Sequence, residues 1–122
     1  MNWSAIAAVF LALAVGMGAF GAHGLKARLD AYHLDIYRTA VLYHFLHALG
    51  MLIVATLPRT GTLSAESANS VCWLLAAGIL IFSGSLYLLA VTGVTLLGAI
   101  TPFGGVAFIL GWLLLAWKLV RR

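Results

Sequence analysis

Residues 35–57, DIYRTAVLYHFLHALGMLIVATL, decide the fold of this protein. After Arg38 this stretch contains no Asp, Glu, Lys or Arg, and Pro58 follows it directly. Proline lacks the N–H that would continue a helix, so it marks a natural end. About 20 apolar residues in a helix cross the hydrocarbon core of a bilayer. The stretch therefore predicts a membrane-spanning helix that carries two histidines, His44 and His47, inside the membrane.

The rest of the chain is similarly apolar. Of its 122 residues, 64% are hydrophobic and only 8% are charged, a composition typical of membrane proteins. Three further apolar segments, at residues 3–22, 69–91 and 100–120, accompany the segment at 35–57. We predict an all-α protein with one domain, residues 1–122. It should be an integral membrane four-helix bundle with both termini on the same side, and membrane lipid is its first expected partner.

The positive charges lie at the ends of the apolar segments. The formal net charge is +4, but scattered flanking charges are typical of membrane boundaries and do not indicate a nucleic acid partner. The Lys and Arg residues on the side of both termini are Arg59, Lys118, Arg121 and Arg122. Those on the other side are Lys26, Arg28 and Arg38. The positive-inside rule therefore predicts, by one charge, that both termini are cytoplasmic.

The cysteine and the acidic residues exclude several kinds of membrane enzyme and transporter. Cys72 is the only cysteine, so the chain has no intrachain disulfide and no redox-active cysteine pair. The acidic residues are Asp30, Asp35 and Glu66, all outside the predicted apolar cores of the spans. Small proton-coupled exporters need a buried carboxylate. We expect neither a disulfide-generating enzyme nor an exporter of that kind.

Small residues predict close packing of the helices. Membrane helices associate where Gly, Ala and Ser let two backbones approach. Segment one has two small faces, and we expect both to be buried: Ala5, Ala8, Ala12, Gly16, Ala19 and His23 on the first, and Ala7, Ala14, Gly18 and Gly21 on the second. The packing positions predicted on segments three and four are Gly78, Gly84, Gly104, Gly105 and Gly111.

The histidines of segment two lie on one stripe at helical spacing. His44 and His47 are three residues apart, which predicts that they point the same way. A rise of about 1.5 Å per residue from Asp35 places His44 roughly 13 Å deep and His47 near the midplane. Polar residues of the other segments reach similar depths. We predict one polar cluster in this half of the bilayer, formed by His23, Tyr37, His44, His47, Ser83, Ser85, Tyr87 and Thr101.

Such a cluster could serve four roles. Hydrogen bonding between helices is the usual role of polar side chains in lipid. A ligand or transport site is a second role, since intramembrane ionisable residues often mark pathways. A third is metal or haem ligation, but no carboxylate or thiol lies nearby to complete a ligand set. Catalysis is disfavoured because FSGSLY, at residues 82–87, lies inside a helix without a strained nucleophile turn.

Four stretches of the sequence resemble one known family. They are GAFGAHGL at 18–25, YHFLHALGMLIVA at 43–55, FSGSLYLLA at 82–90 and TPFGGVAFILGW at 101–112. In this order they are similar to the small bacterial membrane proteins grouped as domain of unknown function 423, whose animal relatives include transmembrane protein 256. The resemblance covers nearly the whole chain.

The resemblance implies a four-helix protein of the bacterial cytoplasmic (inner) membrane and a mitochondrial location for the animal relative. It implies no catalytic or binding role for any residue. The signature residues of the family correspond to His23, His47, Ser83, Gly84, Ser85, Tyr87, Thr101, Pro102, Gly104, Gly105, Gly111 and Trp112 of this chain. His44 lies where the family varies, which favours His47 as the more important histidine.

These observations together predict a non-enzymatic protein without catalytic residues, a cofactor or a metal. We expect a structural or accessory role in which the bundle assembles with itself or with a larger membrane complex. One alternative is a carrier or binding protein for a small molecule or lipid that uses the polar cluster. A second alternative is a haem- or metal-binding membrane subunit.

Overall fold

The computed structural model of the protein describes residues 1–121, and in this range the chain folds into four long helices. They are α1 (Trp3–Leu25), α2 (Ala31–Thr60), α3 (Ala65–Thr92) and α4 (Thr95–Val120). Each is long and apolar enough to cross a membrane. The predicted all-helical fold with four candidate spans is confirmed for this part of the chain.

Two helices begin earlier than their apolar segments because polar residues cap them. The Asp30 carboxylate accepts a hydrogen bond from the His33 backbone N–H at the start of α2. Ser64 Oγ accepts one from the Ser67 N–H at the start of α3. Such caps satisfy backbone donors that no helical carbonyl reaches. These helices therefore start about one turn before the apolar segments that hydropathy detects.

Glycines form the turns that follow α2 and α3. Gly61 and Gly93 have φ values of +73° and +72°, a conformation that other residues adopt only at a steric cost. After each glycine the chain enters the next helix within a few residues. Consecutive helices therefore lie side by side and run in opposite directions.

Two of the helices contain a wider π-helical turn. One ends α1 at Gly21–Leu25. The other, Ile79–Ser83, lies in the middle of α3 and separates its α-helical parts, Ala65–Gly78 and Gly84–Thr92. Such turns are rare and often adjoin functional sites. The turn in α3 changes which side chains face α2 and which face lipid.

Helices α2 and α3 form the centre of the bundle. α1 packs mainly on α2, and α4 packs mainly on α3. At one end of the bundle Met1 and Arg59 border the same groove. Thr62 and Lys118 border another groove at that end. The start of α1 and the end of α4 therefore both lie beside the link between α2 and α3.

α4 packs against the centre with almost no spare room. A Cβ atom added to Gly104 would lie 2.7 Å from Cα of Phe82, and one added to Gly111 would lie 2.9 Å from Cδ2 of Leu75. Further close approaches are Gly78 to Phe108, Gly50 to Trp112 and, at α1, Gly21 to Tyr37. Glycine at these positions lets the backbones approach, as membrane helix packing requires.

Other predicted packing positions make looser contacts or none. A Cβ atom would meet Val41 at 3.4 Å from Gly18 and Phe82 at 3.9 Å from Gly105. Gly16 and Gly84, contrary to the prediction, have no such neighbour within 4 Å. No other helix crosses these two positions closely, so the small residue leaves open space.

α1 buries only one of its two small-residue faces. Ala7, Ala14 and Gly21 are buried, whereas the opposite face is exposed along its whole length: Ala5, Ala8, Ala12, Gly16, Ala19 and His23. The prediction that both faces are buried is therefore wrong for the single chain. The reason is that α1 lies at the edge of the bundle, where α2 is its main neighbour.

Candidate functional site

The polar residues predicted to form one cluster take part in several separate contacts. Four hydrogen bonds each connect two helices: Tyr37 Oη to the Met17 carbonyl (2.6 Å), Ser83 Oγ to the Ala40 carbonyl (2.8 Å), Ser85 Oγ with Thr101 Oγ1 (2.6 Å) and Tyr87 Oη with His44 Nδ1 (2.8 Å). The Tyr37 bond joins α2 to α1, and the Ser85 bond joins α3 to α4. The other two bonds both join α2 to α3. Tyr37, Tyr87 and His44 contact one another, since the two tyrosine rings lie 5.2 Å apart between centroids. The bonds of Ser83 and Ser85 are separate, because α2 and α3 meet different neighbours on their two sides.

Ser83 is the most deeply buried of these polar side chains. It has no solvent-exposed surface, and its hydroxyl donates to the Ala40 backbone carbonyl of α2. Ser83 is the last residue of the π turn in α3. The irregular turn and the bond between the two central helices therefore occur at the same place.

His44 uses only one of its two ring nitrogens. Its side chain is 4% exposed, and Nδ1 pairs with Tyr87 Oη. Nε2 is buried and has no hydrogen-bond partner among the described residues. The Phe10 ring of α1 lies edge-on to the imidazole, with 6.1 Å between ring centroids. The result is an unsatisfied buried nitrogen between α1, α2 and α3.

The partners of this pair indicate which nitrogen carries the proton. Within residues 1–121 Tyr87 Oη pairs only with His44 Nδ1. If Oη donates to Nδ1, one group is left without a partner, the Nε2–H donor. If Nδ1–H donated to Oη, both the tyrosine proton and the Nε2 lone pair would be unpaired. Because unpaired buried polar groups are costly, we infer that neutral His44 carries its proton on Nε2.

His44 lies at the floor of a cleft between α1 and α3, which we name the His44 cleft. Its volume is about 200 Å³. Phe10, Leu13 and Met17 form one wall, Ile79, Leu80 and Gly84 form the other, and Tyr87 lies beside His44. Leu13 and Leu80 are 53% and 64% exposed on the outer surface of the bundle. The cleft is therefore apolar at its mouth and opens sideways, toward lipid.

His47 has different surroundings. Its Nδ1 donates to the Tyr43 carbonyl one turn earlier in α2, at 2.8 Å. The imidazole stacks on the Phe108 ring of α4 with 3.6 Å between centroids and 15° between the planes. The ring of Trp112, also in α4, lies 5.8 Å from the imidazole between centroids. His47 thus contributes a flat surface to the α2–α4 contact and no hydrogen bond to another helix.

Two predictions about the histidines need correction. His44 and His47 are both buried, but they face different helices, because a spacing of three residues separates two side chains by about 60° around a helix. That angle is enough to direct one toward α1 and the other toward α4. His23 is exposed at the end of α1, so the structure does not bring it together with the buried polar residues.

A further polar pair lies beyond the membrane-spanning part of α2. The His33 ring nitrogen Nδ1 is 2.8 Å from the Asp30 carboxylate. The His33 backbone N–H, which donates to the same carboxylate, and then the His33 side chain hold the pKa of Asp30 below its usual value. The Asp30 side chain is 65% exposed, so this pair is a local cap of the helix.

Sequence reasoning missed several aromatic residues that shape the site. Phe10 covers His44, and Phe108 covers His47. The Trp3 indole N–H donates to Asn69 Oδ1 at 2.8 Å, which connects α1 to α3. Aromatic residues in a membrane protein normally suggest interface or lipid positions, so no local signal distinguishes these buried contacts. Among residues 1–121, no three His, Cys, Asp or Glu side chains form a group that could hold a metal ion.

The sequence matches one protein family and several curated membrane proteins. Residues 17–105 match the family described as Protein of unknown function (DUF423). The chain is 48% identical over 118 residues to UPF0382 membrane protein YwdK of Bacillus subtilis (strain 168), which covers 95% of this chain and 94% of that protein. It is 50% identical over 103 residues to UPF0382 membrane protein SSP2132 of Staphylococcus saprophyticus, covering 84% and 83%. No solved structure gives a significant match. Since the family match covers most of the chain, the predicted resemblance is confirmed, and this membrane protein with four candidate spans belongs to the DUF423 family.

Proposed function

We propose that this protein is a non-enzymatic structural or accessory protein of the bacterial inner membrane. One observation carries the proposal: polar side chains inside the bundle connect the helices to one another. Tyr37, Ser83 and Ser85 each form a hydrogen bond to a neighbouring helix. Because lipid offers no water to bond with, such contacts fix the relative positions of helices.

The contacts of His47 support the same role. The imidazole is 92% buried, since 8% of it is exposed, and it stacks directly on Phe108. Its Nδ1 proton is already bound by the Tyr43 carbonyl. Stacking fixes the face of the ring, and the hydrogen bond to Tyr43 fixes its edge. A ring fixed in both ways can set the distance between α2 and α4.

The proposal includes partners and an orientation. The partners are membrane lipid and either a second copy of the chain or a larger membrane complex, without nucleic acid or a cofactor. Both termini are cytoplasmic in this proposal, because Arg59, Lys118 and Arg121 flank the spans at the end of the bundle where the chain starts and finishes. A reporter active only in the periplasm, fused to the C-terminus, is expected to give no signal.

The replacement His47→Ala tests the structural role. Removing the ring leaves a cavity beside Phe108 and should lower the free energy of unfolding by about 2 kcal/mol or more, or change the oligomer mass. Unfolding is followed during SDS titration in micelles, and oligomer mass by native mass spectrometry. Phe45→Ala is the matched control, since Phe45 is on the same helix but 40% exposed. A chemical role for His47 would be indicated if His47→Ala kept normal stability and mass but did not restore growth to a deletion strain that wild type restores.

A second candidate function is the binding of a small molecule or lipid, and one specific observation favours it. Nε2 of His44 is buried without a partner, and His44 lines a cleft that opens toward lipid. Polar atoms that are fully buried normally have a hydrogen-bond partner, so an exception calls for an explanation. The supporting site differs from the predicted one, since it involves neither His23 nor His47 nor Ser83.

A further inference from the structure

We propose that the His44 cleft binds an uncharged ring carbonyl compound dissolved in the bilayer, such as an isoprenoid quinone. The carbonyl oxygen of the ligand accepts a hydrogen bond from His44 Nε2. This proposal rests on the second candidate function and is independent of the structural one. It concerns binding only and includes no electron transfer.

The unpartnered nitrogen defines the polar group of the ligand. With Tyr87 Oη–H donating to Nδ1, Nε2 of His44 carries a proton and requires an acceptor oxygen. The Phe10 backbone carbonyl is the nearest acceptor to this side of the imidazole, but its geometry falls short of a hydrogen bond to Nε2. Nε2 is covered in this structure, so a ligand in the cleft reaches the donor only after the covering groups move.

The depth of His44 excludes ligands whose polar groups are charged or held at the membrane surface. At a rise of about 1.5 Å per residue, nine residues separate His44 from Asp35 by about 13 Å along α2. The ester carbonyls of phospholipids lie at the boundary of the hydrocarbon core and do not reach this depth. Charged groups are costly there. An uncharged carbonyl attached to an apolar body can leave the surface at low cost.

The size and lining of the cleft favour a ring. Apolar cavities of about 150 Å³ in proteins hold benzene, so a cleft of about 200 Å³ accommodates a six-membered ring with carbonyl groups and small substituents. The Phe10 and Tyr87 rings can contact its face or edge, an arrangement that aromatic pairs prefer. A hydrocarbon tail would leave between Leu13 and Leu80 into the surrounding lipid.

Phe10 is the movable wall of the cleft. The Nε2 atom itself is covered, and two rings lie edge-on to the imidazole, Phe10 from α1 and Tyr87 from α3. On its other side Phe10 borders a second apolar groove of about 250 Å³ with Ala5, Ile6 and Val9. The ring therefore borders open space on both sides, and we expect it to move aside when a ligand enters the cleft.

The experiment uses the full-length protein in lipid nanodiscs and a photoreactive azido-benzoquinone with a decyl tail as probe. Saturable labelling is expected on the α1 and α3 walls of the cleft, mapped by mass spectrometry of the peptides. Unlabelled decylbenzoquinone should compete. Decylbenzene has the same tail and a ring but no carbonyl, and it should compete about tenfold less well, as loss of one buried hydrogen bond predicts.

Variants separate the hydrogen bond from the shape of the cleft. His44→Phe should raise the half-saturating concentration about tenfold, whereas His44→Gln, which keeps an N–H donor, should change it about threefold or less. Gly84 lines the cleft and has nothing within 4 Å of an added Cβ, so Gly84→Leu should place its side chain in the cleft and abolish saturable labelling. Gly16→Leu also adds a side chain in open space, but outside the cleft, and should bind normally.

Four outcomes would overturn the proposal. They are labelling that rises linearly with probe in every variant, equal competition by decylbenzene, equal labelling of wild type and Gly84→Leu, and saturable labelling confined to α4. If a polar lipid extract raised the unfolding temperature while decylbenzoquinone did not, a binding function would remain but the ligand class would be wrong. The structural function fails separately, through the stability and mass measurements on His47→Ala.

Discussion

The two sides of the central α2–α3 pair differ in packing, although Gly21 on the α1 side also lies close to a neighbour, Tyr37. On the α4 side, a methyl group added to Gly104 would overlap the Phe82 backbone. On the α1 side, Gly16 and Gly84 have nothing within 4 Å of an added Cβ, and the His44 cleft is open to lipid. Glycine thus accompanies close contact at Gly104 and empty space at Gly16 and Gly84. A small residue permits close packing, but a neighbouring helix must cross at that position to use it.

The two histidines follow the same division. His47, on the α4 side, is stacked on Phe108 and bonded only to its own helix. His44, on the α1 side, forms a hydrogen bond to Tyr87 of α3 and leaves its second nitrogen unpaired. The tightly packed side therefore uses histidine as a packing surface, whereas the open side retains an unused hydrogen-bond donor.

The largest expected effect is on the tight side. Gly104→Ala places a methyl group against the Phe82 backbone, which cannot move away as a flexible side chain would. We expect the free energy of unfolding to fall by about 2–3 kcal/mol, measured by SDS titration in micelles. Gly16→Ala is the matched control and should leave stability unchanged or slightly higher. Equal losses in the two variants would contradict the contrast between the two sides.

The next effect concerns the pair His44 and Tyr87. A double-mutant cycle with His44→Phe and Tyr87→Phe should give a coupling energy of about 1 kcal/mol, within the range measured for hydrogen bonds between membrane helices. Coupling near zero would show that the bond between α2 and α3 adds no stability.

The histidine on the other side serves as the comparison. His47→Phe keeps the ring stacked on Phe108 and should change the free energy of unfolding by less than about 0.5 kcal/mol.

A smaller and opposite effect is expected on the open side. Gly84→Ala adds a methyl group in free space and removes a flexible residue from a helix, so stability should rise by about 0.5–1 kcal/mol. The measurement is again SDS-induced unfolding, with Gly105→Ala, where an added Cβ lies 3.9 Å from Phe82, for comparison. A loss of stability in Gly84→Ala would show that this position is occupied in the folded protein.

The smallest effect lies outside both interfaces, at the cap of α2. The folded-state pKa of Asp30 is lowered by its bonds to His33, so the ionised carboxylate stabilises the helix above its unfolded pKa of about 3.9. This stabilisation is lost as the pH falls through the lower, folded-state pKa. We therefore expect the unfolding temperature of wild type to fall when the pH is lowered from 5 to below the folded-state pKa of Asp30. The unfolding temperature of Asp30→Asn should fall less over the same range. Parallel curves for the two proteins would exclude a contribution from Asp30.

Sequence reasoning was sufficient for the helices because the bilayer imposes strong, local requirements. A chain with four long apolar runs and short links has few alternatives to four helices. The same reasoning gave the apolar spans but not where the helices start, since Asp30 and Ser64 cap polar turns that hydropathy does not detect. It also predicted one polar cluster from depth alone. Residue number gives the depth of a side chain along its helix, but it does not show which other helix that side chain faces.

The sequence by itself determined the membrane class, the helices and the stripe that holds Tyr37, His44 and His47. Only the tertiary structure decided that these histidines face different helices, that His23 and one face of α1 are exposed, and that Phe10 and Phe108 cover the imidazoles. The physical reason is that periodicity fixes the direction of a side chain relative to its own helix axis. Its partners depend on how the helices are arranged around that axis, and contacts between residues distant in the chain set that arrangement.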